Sequence, residues 1–150
     1  MTIKEAFPFN KIRGVRLAAV ASGLKKDSLD LALIELNESC VCSAVFTQSS
    51  FAAAPVLISR EHLKDESSRY ILVNSGNANA ATGNEGLENA IRCCESVAEL
   101  AGLKKEAVLP FSTGVIGEPL NYQKIQNAIP SLFEKLALDG WVDVARAIVT

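Results

Sequence analysis

Tyr70-Ile71-Leu72-Val73-Asn74-Ser75-Gly76-Asn77-Ala78-Asn79-Ala80-Ala81-Thr82-Gly83 joins an apolar run to a loop with no charge at all. Past the loop the chain takes on the period of a helix. Leu87, Ala90, Ile91, Cys94, Val97, Ala98 and Ala101 fall on one face, and Gly102 stands where such a helix stops. Thr82 and Glu85 have the spacing of a capping box. The reading is therefore strand, loop, helix, the unit of an α/β domain. Between Val73 and Gly83 the chain carries three asparagines, two glycines and three alanines. Small residues and neutral amides let backbone N–H groups approach something closely, and the helix start adds an anion-friendly field. A polar turn that merely connects two elements explains the same composition, and spacing alone leaves both open.

Outward from this stretch, elements alternate. Gly14 to Ala21 is predicted to be a strand, Asp30 to Leu36 a second and Cys40 to Thr47 a third, making an antiparallel meander. Pro55 to Ile58 suggests a short edge strand, and Ser59 could cap one helical turn through Leu63. Tyr70 to Val73 and Ala107 to Pro110 are further strands. Asn121 begins a helix with Tyr122, Ile125, Ile129, Leu132, Phe133 and Leu136 on one side, which Pro130 should kink or split. Asp139 could cap a last helix carrying Trp141, Val142, Ala145 and Ile148. The fold class expected is α/β, with mixed or antiparallel sheets covered by helices.

Composition bounds the function. The 150 residues, 49% hydrophobic and 21% charged, suit one folded domain. A net charge of −2 offers no basic patch for nucleic acid or an acidic membrane. No apolar run is long enough to span a bilayer. Met1 to Phe9 lacks a basic region followed by an apolar core, so no secretory signal is expected and the cytoplasm is the expected compartment. Cys40, Cys42, Cys93 and Cys94 form no Cys-x-x-Cys pair, so reduced cysteines acting as small hydrophobes are expected and no metal site is called for. Asp27, Asp30, Glu35 and Glu38 bracket a hairpin and suggest a solvated face. The chain closes on Ala147-Ile148-Val149-Thr150 inside an apolar pattern, which suggests a piece of a longer protein or one chain of a complex.

A second constellation, Ser112-Thr113-Gly114, comes after a strand and precedes Val115-Ile116-Gly117-Glu118-Pro119-Leu120. A hydroxyl beside a glycine can aim an O–H and an N–H at a developing oxyanion; a turn that satisfies its own backbone is the alternative. A histidine-activated Ser112 or Thr113 has only His62 as a base, and nothing in the sequence places it nearby.

The Asn-Ser-Gly-Asn-Ala-Asn-Ala and Ser-Thr-Gly-Val-Ile-Gly-Glu-Pro-Leu strings occur in order with Gly14 to Lys25, Asp30 to Ile34, Ala44 to Thr47, Ala53 to Val56 and Ala147 to Thr150. In this series the chain resembles the N-terminal part of the ornithine acetyltransferase (glutamate N-acetyltransferase, ArgJ-type) family. The resemblance implies an αββα layered fold once further chain is added. It implies self-cleavage into two chains and acetyl transfer from N-acetylornithine to glutamate through the newly exposed threonine, with acetyl-CoA as a donor in some members and no cofactor. Thr113 and Gly114 would form the oxyanion hole, and Thr150 a substrate contact. Residues 1–150 would be alpha-chain sequence, paired with a beta chain in a heterotetramer of two alpha and two beta chains. The family's Met-Ala-Thr-Met type segment and the Lys-Gly stretch before it do not occur here, so the nucleophile would lie beyond Thr150. The Gln48-Ser49-Ser50 region lacks the asparagine often found after the Phe-Thr pair. Two other readings remain: an N-terminal-nucleophile amidohydrolase or aminopeptidase of similar architecture, and a non-catalytic module that binds a small anion.

Overall fold

The structure, a computed structural model, describes residues 10–65 and 67–150. The reading of Met1 to Phe9 lies outside them. Four strands form one sheet in the order β1-β2-β3-β4: β1 Val15–Val20, β2 Leu31–Leu36, β3 Tyr70–Asn74 and β4 Val108–Ser112. The β1–β2 and β2–β3 pairs are antiparallel, whereas β3 and β4 are parallel. Helices α1 (Ala54–Asp65), α2 (Gly83–Ala101), α3 (Tyr122–Lys135) and α4 (Trp141–Ile148) accompany the sheet. The strand–loop–helix unit is therefore β3, its amide-rich loop and α2, and α2 makes the crossover that a parallel neighbour requires.

Alternation along the strands divides the core in two. Ala18, Val20, Leu31, Leu33, Tyr70, Leu72 and Val108 face one side, where Ile58 of α1, Cys94 and Val97 of α2, and Ile125, Ile129 and Leu132 of α3 pack. Leu17 and Ala32 face the other, against Val144 and Ala147 of α4. At about 25 cal/mol per Å² of apolar surface removed from water, the first and larger cluster is the main stabilising layer.

Several expectations are corrected. Cys40 to Thr47 forms no strand. Both edges of β2 are taken by β1 and β3, so a third meander strand has no slot there; Val41 and Val45 are 94% and 99% exposed. Pro55 opens α1 rather than a strand. Its missing N–H is no loss in a first turn, where Ala53 O already accepts from Val56 N and Leu57 N. Ser59 is thus inside the helix and caps nothing. Thr82 is the N-cap of α2, but its hydroxyl donates to Asn79 Oδ1, so the capping box does not form. The Gly102 stop is left-handed, as expected. Asn121 caps α3 by accepting from Lys124 N. That helix continues unbroken through Pro130, because Pro130 and Gln126, whose carbonyl loses its partner, both face water. Gly140, not Asp139, is the N-cap of α4, and its buried positions are Val142, Val144 and Ala147, with Ala145 and Ile148 exposed.

The acidic hairpin is not a uniformly solvated face. Asp30 is fully buried and accepts from the backbone N–H groups of Ser22 (2.6 Å), Gly23 (3.1 Å) and Lys25 (2.8 Å). Glu35 pairs with the Arg16 guanidinium across the β1–β2 register and accepts from the Tyr70 hydroxyl at 2.9 Å. Asp27 and Glu38 are exposed.

Candidate functional site

Asn74 and Ser112 are paired in the β3–β4 register, so the two strands end side by side and the two sequence motifs leave the sheet together. Carboxyl ends of parallel strands are where open α/β sheets place ligands. Asn74 ties the two motifs at their root. Its carbonyl accepts from Thr113 N at 3.0 Å, its Oδ1 accepts from the Ser112 hydroxyl at 2.6 Å, and its Nδ2 donates to Asn77 O at 2.8 Å. Beyond it the loops zip together. Val115 N donates to Gly76 O, Ala78 N to Val115 O and Gly117 N to Ala80 O. Asn77 Nδ2 reaches Glu118 O and Pro119 O. Asn79 uses its N–H on Asn77 Oδ1 and its Nδ2 on Gly86 O.

The close approach anticipated for the amide-rich loop is therefore an approach to the Ser112–Leu120 segment. Asn74, Asn77 and Asn79 are all buried. A neutral amide can be buried with its donors and acceptors matched at far lower cost than a charged group, which explains why this loop carries no charge. Their amides face the fold and are not presented to a ligand. Ala81 is held in the left-handed region (φ 59°) at a cost of about 1 kcal/mol, which this network offsets.

Thr113 and Gly114 sit where the zip begins. Gly114 has φ 133°, and a Cβ there would stand 2.4 Å from Gly76 C and 2.6 Å from Asn77 N, so glycine is required by both conformation and space. Among the described residues, the Thr113 hydroxyl and the Gly114 N–H have no hydrogen-bond partner. Both residues are half-buried. By alternation Thr113 shares a face with Leu109 and Phe111, the side of the sheet on which α4 packs. Two adjacent donors, rigidly backed and without partners, are what a developing negative charge needs.

The histidine-activated arrangement is not assembled. His62 is buried on α1 with Nδ1 2.7 Å from Val108 O, and the Ser112 hydroxyl is engaged with Asn74. Cys93 and Cys94 are buried, and burial pushes the Cys93 thiol up to about 12 and raises that of Cys94 as well. Cys40 and Cys42 are half-buried free thiols.

Thr150 is exposed, at the end of a segment drawn to the same place. The Ser75 hydroxyl donates to Ala147 O at 2.5 Å, and Lys25 Nζ donates to Val149 O at 2.6 Å. The Lys25 stem lies on Gly76, where an added Cβ would be 2.8 Å from its Cγ. The structure thus gathers the Thr113–Gly114 pair, the Ser75–Asn77 turn, Lys25 and the Ala147–Thr150 segment at one end of the sheet. The sequence reading gave Lys25 no role and read Asp30 as part of a solvated face. The signal available was an aspartate five residues after a lysine, across the polar run Lys26-Asp27-Ser28, which looks like ordinary surface charge.

The chain is similar to known proteins in both sequence and fold. The profile of the ArgJ family matches residues 16–150. Arginine biosynthesis bifunctional proteins ArgJ from Methylococcus capsulatus and Psychrobacter arcticus are 52% and 44% identical over 140 residues, 93% of this chain. The chain spans about a third (34%) of the length of these curated relatives. A crystal structure of ArgJ from Bacillus halodurans superposes with a TM-score of 0.87 at 31% identity, covering 96% of this chain and 78% of that one. Ornithine acetyltransferase from Mycobacterium tuberculosis, solved with ornithine, superposes with a TM-score of 0.87 at 33% identity, covering 92% and 76%.

Proposed function

The chain belongs to the ArgJ family, and from that premise we propose that it carries the oxyanion-hole half of a glutamate N-acetyltransferase. The observation that carries the reading is the pair of unpartnered donors, Thr113 Oγ1–H and Gly114 N–H, fixed by the contact of Gly114 with Gly76. A threonine exposed by self-cleavage beyond Thr150 attacks the acetyl carbonyl of N-acetylornithine. The carbonyl oxygen becomes an oxyanion held by the two donors. Collapse expels the ornithine amine, which takes up a proton, and leaves an acetyl-threonine ester. The amine of glutamate then attacks the ester through a second oxyanion at the same donors, giving N-acetylglutamate and the free threonine. One difficult transfer is split into two easier ones. Acetyl-CoA could load the same threonine in place of N-acetylornithine.

In this reading residues 1–150 belong to the alpha chain, Thr150 contacts substrate, and the beta chain of the same precursor supplies the nucleophile in a cytoplasmic heterotetramer of two alpha and two beta chains. The ornithine bound to the Mycobacterium tuberculosis relative supports the substrate class.

The test is denaturing mass spectrometry of the whole gene product together with acetyl transfer from N-acetylornithine to glutamate. Two chains and active transfer are expected. Thr113→Ala should lower kcat by about 10²–10³, the effect of one lost oxyanion donor, and leave the melting temperature within about 2 °C, as for a substitution away from the core. Release of acetate with no N-acetylglutamate would favour the amidohydrolase reading. A single uncut chain with no transfer would overturn the proposal.

A further inference from the structure

Lys25 is separated from Val149 by 124 positions in sequence, yet its ammonium meets the Val149 carbonyl at 2.6 Å. Three features make this more than a wandering surface lysine. Its backbone is fixed, because the buried Asp30 carboxylate accepts its N–H along with those of Ser22 and Gly23. Its stem is fixed, because it lies against Gly76 closely enough that no side chain fits between them. Its acceptor is ready, because Val149 is the C-cap of α4, with extended backbone, where carbonyls lack helical partners and a cation is favoured.

A second tie runs alongside. The Ser75 N–H donates to Asp30 O at 2.8 Å and its hydroxyl to Ala147 O at 2.5 Å. The β1–β2 turn, the exit of β3 and the exit of α4 are thus laced together immediately behind Gly114.

We propose that Lys25 is a positioning residue: through Val149 it holds Thr150 beside the Thr113–Gly114 donors, and so sets how substrate is seated over them. The inference rests on the acetyl-transfer reading of that site. Asp30 holds Lys25 in turn, so the buried carboxylate acts on the site through two intermediaries. The ammonium uses one of its three N–H donors on Val149, and the hydrophobic stem, not the charge, contacts Gly76.

The experiment uses the whole gene product with Lys25→Met, which keeps the stem and deletes the ammonium, and Lys25→Arg, which keeps a cation. Lys25→Met is expected to raise the KM for N-acetylornithine about tenfold with kcat changed less than about threefold, the pattern of lost uniform binding. Lys25→Arg should recover most of that loss. Amide exchange at Val149 and Thr150 should quicken in Lys25→Met while the melting temperature holds. Lys25→Met and Thr150→Ala should combine non-additively, since one acts through the other.

An unchanged KM in Lys25→Met overturns the proposal, as does a fall in kcat and melting temperature together with KM intact, which marks a structural lysine. If the unsubstituted protein performs no acetyl transfer, the functional reading fails on its own. Exchange rates then still decide the clamp, and equal rates at Val149 and Thr150 in both proteins overturn it.

Discussion

Replacing Gly114 by alanine tests the site's construction with one methyl group. The new Cβ would stand 2.4 Å from Gly76 C, 2.6 Å from Asn77 N and 2.8 Å from Gly76 Cα, all backbone atoms that cannot swing aside. At φ 133° the alanine would also be held in a conformation costing on the order of 1–3 kcal/mol. Overpacking against a rigid neighbour adds about 1–3 kcal/mol. Relief means separating the two loops, which breaks the bonds from Thr113 N to Asn74 O and from Val115 N to Gly76 O. The sum is about 2–6 kcal/mol, and at about 2–4 °C per kcal/mol for a domain of this size the melting temperature should fall by roughly 4–24 °C. Gly102→Ala is the control. Gly102 also has positive φ, 67°, but nothing lies within 4 Å of an added Cβ, so it should lose only about 1 kcal/mol. Calorimetry on the two variants compares a glycine that is both strained and hemmed in by backbone with one that has only a positive φ. Equal shifts for both would refute the claim that Gly114 is pressed against the Gly76–Asn77 backbone. The displaced Gly114 N–H should also cost acetyl transfer, whereas Gly102→Ala should leave it intact.

Charge and burial set two further expectations. Arg16 hydrogen bonds hold the Glu35 carboxyl below its usual range against the opposing effect of burial, with the Tyr70 hydroxyl helping. A depressed carboxyl contributes stability above its unfolded value, and that contribution is lost as pH falls through the folded one. Glu35→Gln should therefore flatten the acid limb of a pH–stability profile below about pH 4 while lowering stability at neutral pH; an unchanged acid limb would refute the pairing. Thiol labelling of the native protein at mildly alkaline pH should modify Cys40 and Cys42 and spare Cys93 and Cys94, whose thiols are buried and raised. Modification of Cys93 and Cys94 before global unfolding would contradict the packing of α2 on the sheet.

Much of this was legible in the chain. The β1, β2 and β3 segments are compact apolar runs, the α2 stripe is long and periodic, and Gly102 stops α2 where its position implied. What failed has local causes. Proline at the first position of an element fits an edge strand and a helix start equally, so Pro55 could not decide between them. Cys40 to Thr47 alternates like a strand, but a strand needs an edge, and edges are a property of the assembled sheet. Thr82 has the right spacing for a capping box, yet Asn79, three residues earlier, takes its hydroxyl. At the site, composition singled out both loops, and the family resemblance narrowed Ser112-Thr113-Gly114 to the Thr113–Gly114 pair. Their mutual zipping, and the approach of Lys25 to Val149, join segments whose separation no periodicity encodes.

The two rims of the sheet have a consequence for how this protein behaves in crowded solution. On the β4 side, the Ser59 hydroxyl donates to Pro110 O, the His62 ring bonds Val108 O, and Pro110 has no N–H to offer. On the β1 side, Leu17 exchanges both of its backbone bonds with Ala137. A strand from another molecule finds few open ladder groups at either rim, so templated growth of the sheet into fibrils is hindered while the domain stays folded. Unravelling of α1 would uncover the β4 rim, which makes that helix the guard against aggregation as well as a wall of the core.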